Sequence, residues 1–151
     1  MAIYDDLPPF LLGLPGEQRD QLVAAVLSGA KTTTTGLLEE YEREGEPLPE
    51  PGGRAALTDS AGQRLAVLEL TEVRVLRLAD VELRHALDEG EGYASVAEWR
   101  ASHEEFWQGP ELRAAMGDPR FTVHDDTMVV TERFRLVQDG VQEDGVQEGG
   151  V

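Results

Sequence analysis

The hydrophobic pattern of this chain changes its period part-way along, and this change constrains the fold more than any other feature. Apolar residues first recur at helical spacing, and we predict helices at about 16–28 and 37–44. A loop rich in proline and glycine follows at 46–53. Beyond it, apolar and polar residues alternate, which predicts strands at 55–58 and 65–78, with a bulge in the longer one.

The second half of the chain returns to helical spacing and ends in a strand. We predict a short helix after Asp80 and a longer one that begins at the capping box formed by Ser95 and Glu98. Another short helix is predicted after Pro110, and a last strand at 128–137. Two helices followed by strands, helices and a strand predict an α+β fold, in which the strands curl into a small barrel.

The charge of the chain limits its partners. The formal net charge is −17, with 30 acidic residues against 13 basic ones. Because affinity for phosphate comes mostly from lysine and arginine, this charge disfavours duplex DNA and anionic membranes, and single-stranded RNA would need a local basic patch. Cysteine is absent, which excludes thiol chemistry, disulfides and cysteine-based zinc sites.

The termini indicate where the chain resides and where its folded domain ends. No apolar run approaches the ~18 residues of a membrane span, and the start of the chain lacks the basic and apolar regions of a signal peptide. We therefore expect a cytoplasmic protein. The last residues form a small acidic repeat without a core pattern, so we expect one domain at 1–137 and a disordered acidic tail at 138–151.

The single lysine is the best candidate for a reactive side chain. The chain has twelve arginines but only Lys31, which lies in the segment Ser28-Gly29-Ala30-Lys31-Thr32-Thr33-Thr34-Thr35-Gly36. Lysine, unlike arginine, can lose its proton, and its ammonium group is a compact point charge. The pattern therefore indicates chemistry at Lys31, although an exposed lysine without a function, in a chain that prefers arginine, would give the same pattern.

Several segments in this order resemble the ASCH domain family, whose members are small β-barrels related to the PUA fold. The signature is Gly29-x-Lys31-x-x-Thr34 after a first helix. The other matching segments are the loop at 47–53, Glu89-Gly90-Glu91-Gly92, the helix from Trp99 to His103 and the strand Glu132-Arg133-Phe134. The set is similar to the longer bacterial branch of the family. Tyr93, where an acidic residue is frequent, and Gly53, where aspartate is common, depart from its pattern.

The resemblance implies a PUA-like barrel of mixed or antiparallel strands flanked by helices, and it implies two kinds of activity. Some small members are amidohydrolases that cleave N4-acetylcytidine to cytidine and acetate, and others are proposed to bind or cut RNA. In the hydrolases a lysine, a threonine and a glutamate form the site. Motif position carries these roles to Lys31, Thr34 and Glu91, and on this resemblance we predict an amidohydrolase of a modified nucleoside.

The chemistry of these three side chains leaves two mechanisms open. A neutral Lys31 could remove the proton of the Thr34 hydroxyl, which would then attack the amide carbonyl. Alternatively, a charged Lys31 stabilises the developing oxyanion. Glu91 would orient Lys31 or carry a proton to the leaving amine. Considered alone, Thr34 also suits a helix cap, and Glu91 also suits a solvated acid.

Further residues near the motif are predicted to contact the substrate, namely Thr32, Thr35, Trp99, Arg100 and His103. His103 lies one helical turn from two tryptophans, which suits stacking on a base but equally suits a hydrogen-bonded histidine of the core. The histidines at 85, 103 and 124 are scattered, so we expect no metal site. We also expect no cofactor, because the sequence contains neither a phosphate-binding loop nor a dinucleotide fingerprint.

Two other functions stay open at this point. An RNA-binding module, with or without ribonuclease activity, would use arginines on neighbouring strands, namely Arg74, Arg77, Arg133 and Arg135. Its affinity would fall steeply with salt, because phosphate binding releases counterions. A ligand-sensing domain would bind a nucleoside without converting it. The sequence predicts no particular oligomeric state.

Overall fold

The computed structural model describes residues 6–137, which form one mixed sheet with helices against both of its faces. The strands are β1 (Pro9–Phe10), β2 (Thr33–Leu37), β3 (Arg54–Thr58), β4 (Arg64–Arg77) and β5 (Met128–Leu136). The helices are α1 (Glu17–Ser28), α2 (Leu38–Glu44), α3 (Leu83–Asp88), α4 (Val96–Trp107) and α5 (Pro110–Met116), with a 3-10 turn at Leu78–Asp80. The predicted α+β class is confirmed, and the tail predicted at 138–151 lies outside the described residues.

The sheet has the strand order β1-β3-β4-β5-β2, in which β1 runs parallel to β3 and every other neighbouring pair is antiparallel. The long strand β4 pairs with β3 along its first half and with β5 along most of its length. Its register against β5 shifts between Leu70 and Glu72, which is the predicted bulge. Such a bulge bends a strand and increases its twist, so a single strand can take part in a curled sheet.

Strand β2 is the main difference from the sequence prediction. The threonines before the second helix suggested a helix cap, but Thr33–Leu37 is a strand that pairs with β5, with Thr35 opposite Thr131. Threonine is β-branched and fits a half-buried sheet well, so pairing with β5 outweighs the capping preference. Helix α2 follows directly and has no side-chain cap. As a result, successive threonines point to opposite faces of the sheet.

Two apolar cores lie on the two faces of the sheet. One core joins α3, α4 and α5 to the sheet and includes Leu37, Leu78, Trp99, Trp107, Leu112, Phe121 and Val129. The other joins α1 to the opposite face and includes Val23, Val26, Leu57, Leu68, Leu70 and Phe134. Strands β2 and β5 therefore separate two buried environments, and polar side chains on these strands enter one or the other.

Helix α4 begins as the sequence predicts. The Ser95 hydroxyl accepts the backbone N–H of Glu98 at 3.1 Å, and the Glu98 carboxylate accepts the N–H of Ala94 at 2.8 Å. These bonds satisfy donors that a helix N-terminus leaves without partners. The longest helices, α1 and α4, have 12 residues each, and no helix within residues 6–137 has the length and apolar character needed to cross a membrane.

Candidate functional site

Lys31 is buried where helix α1 gives way to strand β2. The helix ends at Gly29, which has the left-handed φ of 88°, and the Lys31 N–H still bonds to the carbonyl of Ala25 at 3.1 Å. The lysine side chain is 2% exposed. A buried ammonium is costly unless it is paired, so its surroundings must supply compensating charge. The alternative interpretation of Lys31, an exposed lysine without a function, does not agree with this buried position.

Two carboxylates and one carbonyl face the Lys31 amine. Lys31 Nζ lies 3.3 Å from Glu91 Oε2 and 3.8 Å from Glu89 Oε1, and it donates to the Glu89 carbonyl at 3.4 Å. Both glutamates belong to the segment that follows α3. Glu89 is 1% exposed, whereas Glu91 is 31% exposed. The two acids therefore share one cation but differ in their access to solvent.

Gly90 allows this segment to pack directly on the backbone around Lys31. It has a φ of 72°, and a Cβ atom built on it would lie 2.2 Å from the Ala30 carbonyl oxygen and 2.8 Å from Lys31 Cα. No side chain fits there. The close approach of the two backbones thus requires glycine at this position, and it fixes the carboxylates on either side of Gly90 over the lysine.

Glu89 is the centre of a buried set of polar side chains. Its Oε2 atom accepts the Thr35 hydroxyl at 2.6 Å and lies 3.2 Å from His85 Nε2. Its Oε1 atom lies 3.1 Å from His103 Nε2. We call this set the lysine cluster, and it consists of Lys31, Thr35, His85, Glu89 and His103. The cluster joins the α1–β2 connection, strand β2 and helices α3 and α4.

Ionisation within the lysine cluster follows from these contacts. Burial alone raises the pKa of Glu89, but hydrogen bonds from His103 and His85 and the charge of Lys31 outweigh it and hold that pKa well below its usual range. Burial lowers the pKa of His103, and the hydrogen bond and charge of Glu89 more than offset this, so the pKa is raised. Charges inside the cluster are therefore stabilised by one another.

The structure brings some of the predicted catalytic residues together and separates others. Lys31 and Glu91 are in contact, as the motif suggests. Thr34 pairs with Glu132 across the sheet, so its side chain lies on the face opposite to Thr35 and the lysine cluster. The hydroxyl inside the cluster belongs to Thr35. The role of Thr34 as a nucleophile stays a prediction.

The predicted substrate-binding residues also occupy different environments. Thr35 and His103 belong to the lysine cluster, while the Thr32 hydroxyl bonds to the Asp88 carbonyl at 3.4 Å. Trp99 is completely buried in the core and stacks on His103 at a ring distance of 4.4 Å. The structure thus places the His103 ring against a tryptophan of the core. This position agrees with a hydrogen-bonded core histidine rather than with a ring that stacks on a base.

Arg100 follows Trp99 on α4, and its ion-pair partners lie outside the lysine cluster. Its guanidinium pairs with Glu104 at 2.9 Å and with Asp125 at 2.6 Å. The Arg100 guanidinium is therefore already paired with two acids.

Tyr93, a departure from the family pattern, lies beside the lysine cluster. Its hydroxyl bonds to Ser102 at 2.9 Å and to Glu91 at 3.3 Å, and burial together with the charge of Glu91 raises its pKa to about 12.

His85 and Glu89 are members of the site that the sequence motif does not indicate. They lie four residues apart, on α3 and at its C-terminal end, and so share one face of a helix. That spacing was the available signal, but Glu89 is flanked by other acids and His85 has no recognisable motif.

Beside His85 a groove of ≈ 70 Å³ opens on the sheet surface. This volume suits a few water molecules.

A second buried carboxyl lies on the opposite face of β2 and β5. Glu132 is 6% exposed, and its Oε2 atom accepts a hydrogen bond from the Tyr41 hydroxyl at 3.1 Å. Burial raises the pKa of Glu132, and the single bond from Tyr41 offsets this only in part. Among residues 6–137 no group of three or more histidine or acidic side chains is placed to hold a metal ion.

A family model and two solved structures match this chain over most of its length. The family model described as the ASCH domain matches residues 11–138. The crystal structure of protein EF3133 from Enterococcus faecalis V583 is 27% identical with a TM-score of 0.75, covering 86% of this chain and 76% of that one. An ASCH domain from Lactobacillus crispatus JV V101 is 23% identical with a TM-score of 0.73, covering 88% and 80%. No curated protein matches the chain.

Proposed function

Because this chain belongs to the ASCH domain family, with the PUA-like curled sheet of such domains, we propose that it is an amidohydrolase of a modified nucleoside such as N4-acetylcytidine. The reaction is hydrolysis of a C–N bond with no cofactor. Lys31 and Glu91 act at the site together with a threonine hydroxyl. The observation that carries the proposal is the burial of the single lysine against two carboxylates, with a hydroxyl and two imidazoles around them.

The surroundings of Lys31 support an electrostatic role. The Lys31 amine lies within 3.8 Å of the carboxylates of both Glu89 and Glu91, and these ion pairs suit an ammonium group. A fixed ammonium stabilises the oxyanion that develops when an amide carbonyl is attacked, and it does so most strongly where water is excluded. Of the two mechanisms that the sequence leaves open, the oxyanion clamp therefore agrees better with the geometry.

Two threonines are candidates for the attacking hydroxyl. Thr34 is the motif residue, but it lies on the opposite face of β2 from the amine. Thr35 lies in the lysine cluster, 2.6 Å from both the Glu89 carboxylate and His85 Nε2. Thr34→Val and Thr35→Val each remove one hydroxyl and keep a β-branched shape that suits a strand. Comparing turnover by the two variants identifies which hydroxyl the reaction needs.

RNA binding, the alternative, receives less support from the charges. Of the four arginines predicted to form a basic track, three pair with acids: Arg77 with Asp80 and Asp126, Arg133 with Glu72 and Asp88, and Arg135 with Glu69. Their charge is largely balanced locally, within a chain of net charge −17. RNA affinity that falls steeply between low and moderate salt would restore this alternative.

The test is incubation of the purified protein with N4-acetylcytidine, followed by chromatographic detection of cytidine. Lys31→Ala is expected to abolish turnover, and thermal unfolding checks that the variant is folded. Arg120→Ala is the matched control, because Arg120 is exposed and also carries a single positive charge. Cytidine formed by wild type and by Arg120→Ala but not by Lys31→Ala supports the proposal. Equal turnover by all three proteins contradicts it.

A further inference from the structure

The second half of strand β4 has a neighbouring strand on one side only. Strand β3 pairs with β4 as far as Glu69, and Gly53 bonds to Leu70 just beyond it. Strand β5 pairs with β4 from Leu68 to Arg77. Within residues 6–137 no other strand pairs with β4. One side of residues 71–77 is therefore open, and we call this segment the free edge.

The ladder with β5 determines which backbone groups point outward from the free edge. Leu78, which directly follows β4, donates its N–H to the Thr127 carbonyl next to β5. In an antiparallel pair, residues that bond to the neighbouring strand alternate with residues that point away from it. Arg74 therefore bonds to β5, while the N–H and C=O groups of Val73 and Val75 point outward.

The other neighbour of β5 gives the same alternation. The Phe134 N–H bonds to the Thr32 carbonyl on the β2 side, so the backbone of Arg133 is directed at β4. Glu72 lies opposite Arg133 and thus bonds to β5. Val73, the next residue, again points outward.

A second copy of the chain can pair with the free edge in three registers. A two-fold axis makes two identical strands antiparallel. With Val73 opposite Val75, Arg74 faces Arg74 of the second copy, and the like charges repel. With Val75 opposite Val75, Arg74 faces Leu76, and no opposite charges meet. With Val73 opposite Val73, Glu72 of each copy faces Arg74 of the other, which gives two ion pairs.

We infer that this chain forms a two-fold symmetric dimer in which the free edges pair antiparallel about Val73. The two central backbone hydrogen bonds join Val73 to Val73 of the second copy. Glu72 and Arg74 then lie at positions without backbone bonds between the copies, where the side chains of an antiparallel pair are closest. The sheet continues from one copy into the other.

The side chains of the free edge are available for such pairing. Within residues 6–137 the Arg74 guanidinium has neither an ion pair nor a hydrogen bond. Glu72 is 53% exposed and lies 3.7 Å from Arg133, which pairs more closely with Asp88 at 2.9 Å. Val75 is 41% exposed, so pairing also covers an apolar side chain.

Charged residues on an edge strand usually prevent pairing with another chain. They do so by repelling the second strand or by being costly to cover. Here two opposite charges lie on either side of Val73, so they repel in one register and attract in another. The charges of this edge therefore select a register and do not exclude pairing.

The dimer brings a second copy to the groove beside His85. Glu72, Arg74 and Leu76 line this groove and belong to the free edge. Cross-strand neighbours lie on the same face of a sheet, so the grooves of the two copies open on the same face. Glu72 of the second copy lies against the Arg74 of each groove.

The test is sedimentation velocity of the full chain from micromolar to millimolar concentration. Two chains of net charge −17 repel at a distance, so the buffer has physiological ionic strength, where the screening length is about 8 Å. Wild type is expected to convert reversibly from monomer to dimer as its concentration rises. A chain that stays monomeric up to millimolar concentration overturns the inference.

Reversing either charge should weaken the dimer. Glu72→Arg and Arg74→Glu each replace two attractive pairs by two repulsive ones, so each should raise the dissociation constant by roughly tenfold. Glu105→Arg and Arg120→Glu are the matched controls, because they make the same charge changes at exposed positions outside the free edge. Variants of the free edge that dimerise like these controls overturn the inference.

Exchanging both charges identifies the register. The double variant Glu72→Arg with Arg74→Glu again places opposite charges across the two-fold axis, so its dissociation constant should return close to that of wild type. Its net charge equals that of wild type, which separates local pairing from overall repulsion. A double variant that dimerises as weakly as the single ones contradicts pairing about Val73.

A proline tests the backbone bonds. The Val73 N–H is not used by β5, so Val73→Pro is tolerated as on other edge strands but cannot donate to a second copy. Val73→Ala is the control that removes the side chain and keeps the N–H. Val73→Pro should be monomeric where Val73→Ala dimerises, and equal dimerisation overturns the inference. Thermal unfolding checks the fold of each variant, and the charge exchange still decides should the proline variant not fold.

Discussion

Two buried glutamates lie on opposite sides of strands β2 and β5, and their pKa values are shifted in opposite directions. Glu89 is 1% exposed and Glu132 is 6% exposed, so both carboxyls are removed from water. The pKa of Glu89 is held well below its usual range, because hydrogen bonds and cations outweigh burial. The pKa of Glu132 is raised, because burial outweighs the one bond from Tyr41.

The partners of a buried acid, and not its burial, therefore decide its charge. The Glu89 carboxylate has hydrogen-bonding partners on β2, α3 and α4 and the Lys31 ammonium at 3.8 Å, whereas Glu132 has a single neutral donor. Threonines at successive positions of β2 face these two environments, Thr35 the first and Thr34 the second. The environment of Glu89 stabilises buried charges, and such an environment is typical of a site for polar chemistry.

The largest expected effect is that of removing the charge of Glu89. Breaking a buried ion pair by removing one partner costs about 3–5 kcal/mol, because the other charge is left unpaired. Glu89→Gln should lower the free energy of unfolding at neutral pH by about this amount in denaturant titrations. Glu105→Gln, at an exposed position of α4, is the control and should change it little. A loss as small as that of the control would contradict the comparison.

The free energies of unfolding of wild type and Glu89→Gln should also differ in how they depend on pH. Because the pKa of Glu89 is lower in the folded state than the ordinary 4.5, its contribution to stability is complete above that pH and is lost as pH falls through the folded-state pKa. The difference between wild type and Glu89→Gln should therefore narrow on acidification below pH 4.5. A difference that widens there would reverse the assigned sign.

The next largest effect concerns the backbone contact that holds Glu89 in place. Gly90→Ala places a Cβ at 2.2 Å from the Ala30 carbonyl oxygen and also forces alanine into a positive φ. Backbone strain and overpacking each cost about 1–3 kcal/mol. Gly92→Ala is the matched control, because its φ of 89° is strained but nothing lies within 4 Å of the added Cβ. Equal losses in thermal or denaturant unfolding would show that the close approach is unimportant.

On the other face, removing the donor to Glu132 should have a smaller effect. Tyr41→Phe leaves the buried carboxyl without its hydrogen bond, and an unsatisfied buried group costs about 1–3 kcal/mol. A double-mutant cycle with Glu132→Leu, which removes the acceptor of this bond, isolates the interaction from the loss of the hydroxyl itself. A coupling energy near zero in denaturant titrations would show that the bond from Tyr41 contributes nothing.

The smallest effect, and one of opposite sign, is expected for Glu132→Gln. Since burial raises the pKa of Glu132, its contribution to stability is present below pH 4.5 and is lost as pH rises through the raised value. At neutral pH the neutral glutamine avoids the cost of a poorly paired buried charge, while its carbonyl still accepts from Tyr41. The free energy of unfolding should rise slightly at pH 7 and fall slightly at low pH, relative to wild type. A loss at pH 7 like that of Glu89→Gln would make the two sites equivalent.

Local patterns predicted much of this fold. The alternation after residue 54 predicted β3 and β4, and the Ser95–Glu98 pair predicted the start of α4. Strand β2 was missed because four successive threonines suit a cap as well as a strand. Its pairing with β5, about 100 residues away in sequence, decides the matter. Long-range pairing of this kind leaves no local signal.

Some residues of the candidate site can likewise be predicted from the sequence, and others cannot. Lys31 could be selected from the sequence because it is the only lysine. Choosing between Glu89 and Glu91 could not be done locally, since both are acids beside Gly90. Only the packing of α3 and α4 against β2 buries one of them among donors and leaves the other 31% exposed. His85 joined the site for the same reason, through contacts that span some 50 residues.

The most direct test of the contrast between the two glutamates is a carbon-13 NMR titration of the glutamate carboxyl groups in the folded protein. Glu89→Gln and Glu132→Gln identify the two signals. The account predicts that Glu89 remains ionised at pH values where exposed glutamates are already protonated, and that Glu132 takes up its proton at a higher pH than they do. Two carboxyls that titrate together, or Glu89 above Glu132, would contradict it.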